Sequence, residues 1–340
     1  MKTTSPQTIV STVYGIWGSS ILAAAVENGV FSLLDAGHAT AEAVAEAGGL
    51  SLRGTQALLD GLAGIGLVER DGGNYKNSEE SSTYLVKGKP AYLGDLATRI
   101  VSEFSSWSQL PEVVKSGAPA AAHMDLDEDP YWESVVMAIA PLAIPAAHFA
   151  AQRLELATMG PIKYLDIGGG SGVWSVVWLE LNLDAKGVQI DWANVNKLAR
   201  DYVALHGFGD RFETIDGNFH TLDFGTEEYD VILYSHCAQA ATPEQNIAVF
   251  KKVRQALKPG GVLVVNDCIL NNDRSGHNFA LTFNVNLLLH SSAGSTWTKK
   301  QLREWLDAAD FHDVTFEQTP TAAALLFARV APPEIVAADE

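Results

Sequence analysis

The N-terminal part of the chain combines helical apolar spacing with glycine turns. Apolar side chains recur at helical spacing between Gln7 and Gly29, and shorter patterns of the same kind cover Thr40–Ala47 and Ser51–Gly64. Two short strand-like runs then flank Asp71-Gly72-Gly73, which is typical of a β-hairpin. Three helices followed by a hairpin is the order of a winged helix, which we predict for about residues 1–100.

The next segment shows helical patterns rich in aromatic residues. It extends from about Tyr92 to Ala157 and is punctuated by a turn at Gly117–Pro119. We interpret residues 101–158 as a helical linker or lid.

From Ile162 the pattern changes to short apolar runs that alternate with helices. Thr242 with Gln245, and Thr298 with Gln301, have the spacing of capping boxes that begin helices. Strands are predicted over Lys163–Ile167, Gly187–Ile190, Phe212–Ile215, Tyr229–Tyr234, Val262–Val265, Val314–Glu317 and Ala323–Ala328. This alternation predicts an α/β fold with a parallel, doubly wound sheet over residues 159–332.

The charge balance argues against nucleic acid as a partner. The chain has 41 acidic and 23 basic residues and a formal charge of −18, so its surface on average repels phosphate. The helix of the winged helix that would enter a major groove, Ser51–Gly64, carries one cation, Arg53. We therefore predict that the winged helix serves dimerisation.

Cysteine usage and apolar runs bear on the compartment. Cys237 and Cys268 are too few for a disulfide framework and predict a reducing, cytoplasmic setting. The longest apolar stretch, Val135–Ala147, is interrupted by Pro141 and Pro145, so we expect no membrane span.

A glycine-rich turn lies between the first strand and first helix of the sheet. In Leu165-Asp166-Ile167-Gly168-Gly169-Gly170-Ser171-Gly172 the glycines fit G-x-G-x-G, whereas a dinucleotide fingerprint would need glycine where Val173 stands. Asp191 directly follows the second strand and is placed to accept hydrogen bonds from a ribose diol. The spacing favours a cofactor that has a ribose and lacks a pyrophosphate.

With these residues the chain resembles the S-adenosylmethionine-dependent methyltransferases, and more closely the two-domain small-molecule O-methyltransferases of bacteria and plants. The resemblance implies a doubly wound, Rossmann-like methyltransferase sheet preceded by an all-helical winged-helix dimerisation domain. It also implies S-adenosylmethionine as cofactor and a homodimer. The segments that carry it are Asp166–Gly172, Asp191, Asp216-Gly217-Asn218-Phe219, Tyr229–Leu233 and Leu257–Gly261.

The same resemblance assigns the cofactor contacts. Gly168 and Gly170 would line the methionine moiety, and Asp191 would hold the ribose hydroxyls. Asn218 and Phe219 would meet the edge and the face of the adenine, although the family usually has aspartate at position 218. Further implied contacts are Asp166, Gly172 and Ser235.

The implied reaction is methyl transfer to the oxygen of a small aromatic or natural-product-like acceptor. This in-line displacement depends on positioning and needs a base only where the nucleophile carries a proton. The histidine that serves as base in the family falls on Gln239 here, and Gln239 cannot take a proton. We expect no metal.

Three interpretations of Gln239 follow. His236 could act as the base; the acceptor could be nucleophilic without one; or His290 could face the cavity as base, substrate anchor or metal ligand. Asp267, after the fifth strand, stands where the family often has an acidic residue near the substrate. An acceptor that needs no base would favour C- or N-methylation, and the loss of the base would also suit a non-methylating enzyme or a binding module.

Aromatic residues are candidates for the acceptor pocket, and each is equally compatible with an ordinary core position. Tyr14 and Trp17 could reach a partner's site in a swapped dimer or simply pack at its interface. The pocket candidates are Phe104, Trp107, Trp132 and Phe149, together with His290.

Overall fold

The computed structural model describes residues 4–331 and divides the chain into two compact units, residues 1–105 and 106–340. The outermost predicted boundaries, residues 1 and 332, lie outside the described residues. The short helix Phe104–Trp107 contains the point of the chain at which the two units divide. The separate assignment of residues 101–158 to a linker or lid stays a prediction.

The first unit contains the three predicted helices and the hairpin in the predicted order, with a further short helix, Val30–Asp35, that the sequence analysis did not predict. Thr40 and Ser51 cap the N-termini of two of its helices with their side-chain oxygens, as their residue types favour. Its helices are α1 (Gln7–Glu27), α2 (Val30–Asp35), α3 (Ala41–Gly48), α4 (Leu52–Gly64), α5 (Glu79–Tyr84), α6 (Gly94–Ser102) and the beginning of α7 (Phe104–Trp107), and its antiparallel strands are β1 (Val68–Asp71) and β2 (Asn74–Asn77).

Helix α1 buries little of its apolar surface. Ala23 and Ala25, near its C-terminal end, are buried in the unit. Ile9, Val13 and Trp17 are 70%, 64% and 61% exposed in the single chain. Exposed apolar surface of this extent on one helix marks an interaction face.

The second unit contains a seven-stranded sheet with strand order β5-β4-β3-β6-β7-β9-β8. Its strands are β3 (Lys163–Ile167), β4 (Lys186–Asp191), β5 (Phe212–Asp216), β6 (Tyr229–Ser235), β7 (Leu257–Asp267), β8 (Asp313–Gln318) and β9 (Ala324–Arg329). Its further helices are α8 (Leu110–Ser116), α9 (Tyr131–Arg153), α10 (Val173–Leu181), α11 (Ala193–Leu205), α12 (Pro243–Ala256), α13 (Asn278–His290) and α14 (Lys299–Asp307).

The sheet is mixed, whereas the sequence predicted an entirely parallel one. The first five strands are parallel, but β9 pairs antiparallel with both β7 and β8. The physical reason is the short connection of β8 to β9, because adjacent parallel strands require a crossover of a dozen or more residues. The doubly wound α/β architecture itself is confirmed.

The glycine, proline and capping-box signals of the second unit had different outcomes. Pro259-Gly260-Gly261 precedes the predicted strand Val262–Val265, yet it belongs to β7, where the pairing with β6 shifts register. Gly260 has a φ of 81°, which explains why the irregularity occurs there. Pro141 and Pro145 lie inside α9 without ending it. Both predicted capping boxes, at Thr242 and Thr298, are confirmed.

Two described helices, α1 and α9, are long and apolar enough to cross a membrane by length and composition alone. Helix α9 buries six alanines, among them Ala147 and Ala150, in the core of the second unit. A buried helix of a soluble protein passes the same test, so this finding leaves the membrane prediction open.

Candidate active site

The glycine-rich loop joins β3 to α10 at the carboxyl edge of the sheet. Gly168, Gly170 and Gly172 have φ values of 66°, 59° and 77°, a region that side chains rarely enter. A Cβ at Gly168 would overlap Cys237 Sγ, and one at Gly172 would lie 2.9 Å from Val203 Cγ2. The glycines therefore permit both the sharp turn and the close packing of the loop.

Asp191 closes this loop from the end of β4. Its Oδ2 accepts a hydrogen bond from the Gly170 N–H at 2.9 Å, and its Oδ1 accepts one from the Trp192 N–H at 2.7 Å. Burial raises the pKa of Asp191 to about 6, while the two N–H donors oppose the rise. At neutral pH the carboxylate is mostly ionised and retains lone pairs for a ligand.

Asp166 is fully buried beneath the loop, and neither of its carboxylate oxygens has a hydrogen-bond partner among the described residues. Burial, together with the charge of Asp191, raises the pKa of Asp166 to about 8. A buried carboxylate without partners is costly, and a nearby cation would relieve that cost. This pair of carboxylates suits a positively charged cofactor.

A buried amide network, which the sequence reasoning missed, holds the loop and two strand ends together. Gln189 donates from Nε2 to the Gly170 carbonyl and to Asn196 Oδ1, both at 3.1 Å. Asn196 in turn donates to the carbonyl of Asp191 and to Asp216 Oδ1, at 3.0 and 2.8 Å. Both amides are fully buried, so the network fixes the end of β4 relative to β5.

The predicted adenine residues follow β5. Asn218 Oδ1 accepts the His220 N–H at 2.8 Å, and the Phe219 ring lies edge-on to Tyr234 at 5.9 Å. Lys252 on α12 donates from Nζ to the carbonyls of Phe219 and Leu222. Lys252 therefore holds the loop that carries Phe219, a contact that no local sequence signal indicates.

The turn after β6 brings together most of the predicted catalytic residues. His236 has a φ of 56°, and its N–H donates to the Asn266 carbonyl at 2.8 Å. Asp267 at the end of β7 accepts the Gln239 N–H at Oδ2 (3.1 Å) and the Cys268 N–H at Oδ1 (2.7 Å). Burial lowers the pKa of His236 and raises that of Asp267 to about 7.

Gln239 is only 5% exposed and has structural contacts of its own. Its carbonyl accepts the Ser295 N–H at 2.8 Å, while its side-chain Oε1 makes no hydrogen bond of ordinary geometry to any described residue. The Gln239 side chain nevertheless lies close enough to the His236 ring to offset part of the lowering of its pKa. Ser235 precedes this turn, and its hydroxyl accepts a hydrogen bond from Asn266 Nδ2 at 3.0 Å.

A ring nitrogen of His236, a carboxylate oxygen of Asp267 and Sγ of Cys268 lie within 4.8 Å of one another. Zinc bonds of about 2.0–2.3 Å place neighbouring tetrahedral ligands roughly 3.5 Å apart. This spread is wider, and both oxygens of Asp267 already accept main-chain N–H groups. The three groups would therefore have to move closer together to hold a zinc ion.

His290 lies apart from that turn, at the end of α13, and is buried. Its Nδ1 is 3.0 Å from the Asn286 carbonyl, an acceptor, so Nδ1 carries the proton in this arrangement. The ring of His290 lies 6.2 Å from that of Tyr131, which contacts His123 and Trp132 at 5.0 and 5.3 Å. Tyr131 and His123 were absent from the predicted site.

The remaining aromatic candidates are dispersed. Phe149 on α9 packs against the core beside the sheet, in agreement with its alternative interpretation as a core residue. Trp132 is half-buried, and its Nε1 is buried without a hydrogen-bond partner among the described residues. Trp107 and Phe104 are half-buried, and Phe104 belongs to the first unit, so its part in a pocket stays a prediction.

The carboxyl edge of the sheet fits S-adenosylmethionine by its own chemistry. The ionised Asp191 supplies negative charge, and Asp166 adds a buried, unpartnered carboxyl group that a nearby cation would ionise, beside a loop that only glycines can form. No second glycine motif with pyrophosphate spacing occurs in the loop, since Val173 begins α10. The individual contacts to the cofactor stay predictions.

Two family models match the chain in the predicted order. Residues 10–87 match the O-methyltransferase dimerisation domain, and residues 165–261 match a methyltransferase domain. The 3-hydroxy-5-methyl-1-naphthoate 3-O-methyltransferase of Streptomyces sahachiroi is 26% identical over 320 residues, covering 91% of this chain and 90% of that protein.

Solved structures are similar over nearly the whole chain. A candidate O-methyltransferase from Nostoc punctiforme has a TM-score of 0.88 at 25% identity and covers 96% of this chain and 100% of its own. Human N-acetylserotonin methyltransferase, solved in complex with S-adenosylmethionine, has a TM-score of 0.84 at 22% identity, with 96% and 97% covered. The chain therefore belongs to the two-domain, S-adenosylmethionine-dependent O-methyltransferases.

Proposed function

We propose that the protein transfers the methyl group of S-adenosylmethionine to a hydroxyl oxygen of a small aromatic acceptor. The observation that carries the proposal is the turn after β6, where an imidazole and a carboxylate lie within 4.8 Å of one another. The same turn packs its Cys237 thiol against the glycine loop, with Sγ 3.4 Å from the Ile167 carbonyl. Proton-accepting groups thus lie on a turn that contacts the loop that we propose to hold the methyl donor.

We assign the cofactor contacts by the charge and hydrogen-bonding capacity of each residue. Asp191 receives the two ribose hydroxyls, and Asp166 with the glycine loop receives the charged methionine end. Asn218 and Phe219 take the adenine, with Lys252 holding their loop. Ser235 lies at the same edge of the sheet.

An aromatic acceptor is supported by the side chains around His290. Tyr131, Trp132 and His290 form a chain of ring contacts between α9 and α13, in the same unit as the cofactor edge. Flat apolar surfaces of this kind bind aromatic rings. Relatives that methylate a naphthoate and N-acetylserotonin point to the same acceptor class and to a biosynthetic role.

A homodimer is the assembly that we propose. The dimerisation-domain match covers residues 10–87, and the exposed apolar residues of α1 fall largely within it. A second copy would cover Val13 and Trp17, and Tyr14 would lie in that interface. We further propose a cytoplasmic enzyme without a nucleic acid partner, supported by two free cysteines and the charge of −18.

Methylation of nitrogen or carbon is the second candidate. The specific observation that favours it is Gln239, which occupies the usual position of the base and cannot accept a proton at neutral pH. An amine or enolate acceptor would need only alignment with the methyl group.

The experiment that tests the proposal is incubation with methyl-labelled S-adenosylmethionine and a panel of phenols, aromatic amines and β-dicarbonyl compounds. Label on phenolic oxygen is the expected result. Label only on nitrogen or carbon would replace the proposal by the second candidate. A protein that binds the cofactor tightly and labels none of the three classes would contradict both and favour a non-methylating function.

A further inference from the structure

We propose that His236, and not a residue at position 239, is the group that accepts the acceptor's proton, with Asp267 and Gln239 positioning it. The inference rests on the proposed O-methylation and specifies how this chain carries it out. Three observations support it: the backbone of His236, the groups around its ring, and the contact of its turn with the glycine loop through Cys237.

The backbone at His236 is held in an unusual conformation. Its φ of 56° is uncommon for a residue other than glycine and costs free energy. The hydrogen bond from the His236 N–H to the Asn266 carbonyl, at 2.8 Å, links this turn to β7. Strain of this kind persists where the surrounding structure fixes a side chain for a purpose.

The groups around the ring suit a neutral imidazole that becomes charged during the reaction. The titratable groups near it are Asp267 at the end of β7, Cys268 directly after that strand, and Cys237 on its own turn. Burial keeps the pKa of His236 below its usual value, so the ring is neutral and able to accept a proton at neutral pH. The Asp267 carboxylate, held by two main-chain N–H groups, would stabilise the imidazolium that forms.

Gln239 contributes through its buried and unpartnered Oε1. The Gln239 side chain lies close enough to the ring to raise the pKa of His236, so its Oε1 is an acceptor available to a ring N–H. One ring nitrogen would then be held by the amide, and the other would be directed to the acceptor. Gln239 thus does not act as a base itself but orients the base, His236.

The step balances without a further reactant. The acceptor oxygen forms its bond to the methyl carbon while its proton passes to a ring nitrogen of His236. The carbon–sulfur bond breaks, and its electron pair stays on sulfur. Positive charge therefore moves from the sulfonium to the imidazolium, which later releases the proton to water.

The test measures the turnover of phenols of different acidity by the wild-type protein and by His236→Asn. Asparagine is chosen because it tolerates a positive φ better than alanine does. For a phenol with a pKa near 10, turnover should fall about 10²–10⁴-fold. For a nitrophenol that is already ionised at the assay pH, the fall should shrink to a few-fold, because no proton has to be removed.

The comparison variant is His290→Asn, which carries the same exchange at the rival histidine. It should leave the dependence of turnover on phenol acidity as in the wild type, whatever its effect on KM. Titration with S-adenosylhomocysteine shows whether each variant retains a folded cofactor site. A second variant, His236→Gln, provides the same readout if the asparagine variant does not bind.

The outcomes separate the two proposals. Wild-type labelling of phenols with a His236→Asn turnover within a few-fold at both acidities would overturn the role of His236 and leave O-methylation intact. An acidity-dependent loss in His290→Asn instead would transfer the role to His290. Absence of phenol labelling by the wild type would overturn the proposed function, and this inference with it.

Discussion

Asp191→Asn tests the ribose contact with minimal change of shape. The asparagine side chain can still accept one main-chain hydrogen bond, such as that from the Trp192 N–H. It loses the charge that would strengthen hydrogen bonds from two ribose hydroxyls. A hydrogen bond to a charged group exceeds a neutral one by about 1–1.5 kcal/mol. Two such bonds predict a loss of about 2–3 kcal/mol, or about 30–150-fold in affinity.

The pH dependence gives an independent check of the same contact. Burial raises the pKa of Asp191 to about 6, so the ligand-free carboxylate is ionised at pH 7.5 and mostly protonated at pH 5. Protonation removes the charge that the ribose hydroxyls need, so wild-type affinity should fall about tenfold over this interval. The asparagine variant has no such group, and the difference between the two proteins should narrow at pH 5.

Calorimetric titration with S-adenosylhomocysteine measures both effects without turnover. Asp201→Asn, the same exchange at an exposed position of α11, is the matched control and should bind as the wild type does. Asp166 also titrates in this range. Its surroundings are unchanged in the Asp201→Asn control, whereas Asp191→Asn removes the charge that helps to raise its pKa. The comparison at pH 7.5 is therefore the primary test of the ribose contact. Equal affinity of wild type and Asp191→Asn at pH 7.5, or an unchanged difference at pH 5, would refute the ribose assignment.

Three further predictions concern other parts of the molecule. The pKa of Asp166 is raised to about 8 in the folded protein, so the ligand-free fold loses stability as pH rises from about 4 through 8. In thermal unfolding, Asp166→Asn should lose less stability than the wild type over this range, and it should bind the cofactor more weakly. Light scattering should show that Trp17→Glu dissociates the proposed dimer, whereas Leu205→Glu, at a residue 83% exposed on α11, should leave it intact. Lys252→Met should weaken cofactor binding about tenfold with turnover at saturation little changed, and Lys252→Arg should recover most of it.

The positions of the glycine-rich loop and of Asp191 at the carboxyl edge of the sheet could be predicted because their sequence signals are local. A parallel strand delivers its carboxyl end to one edge of the sheet, so a motif that follows a strand has a known position. The Asp166–Gly172 segment covers the end of β3 and the loop after it, Asp191 ends β4, and the structure brings Gly170 and Asp191 within hydrogen-bond distance. Here spacing along the chain and position in space coincide.

The interactions that hold this edge were not predictable in the same way. Gln189 alternates with apolar residues in a strand, and Asn196 lies on a helix whose other face is solvated, so neither forms a motif. Lys252 reaches Phe219 across 33 residues of sequence. Such contacts depend on how a helix is placed on the sheet, and burial of a polar side chain is visible only after the fold is known.

Counting residues along the sequence does not identify the proposed proton acceptor, His236. Counting from β6 leads to Gln239, but a left-handed residue in a turn redirects the side chains on both sides of it. In this chain that residue is His236 itself, and the turn places its ring near Asp267 while the Gln239 main chain is bonded to the same carboxylate. The Asp267 carboxylate at the end of β7 is thus held in place, and side chains from more than one position of the turn after β6 can lie near it. On this geometry, the loss of histidine at position 239 does not by itself imply the loss of proton transfer.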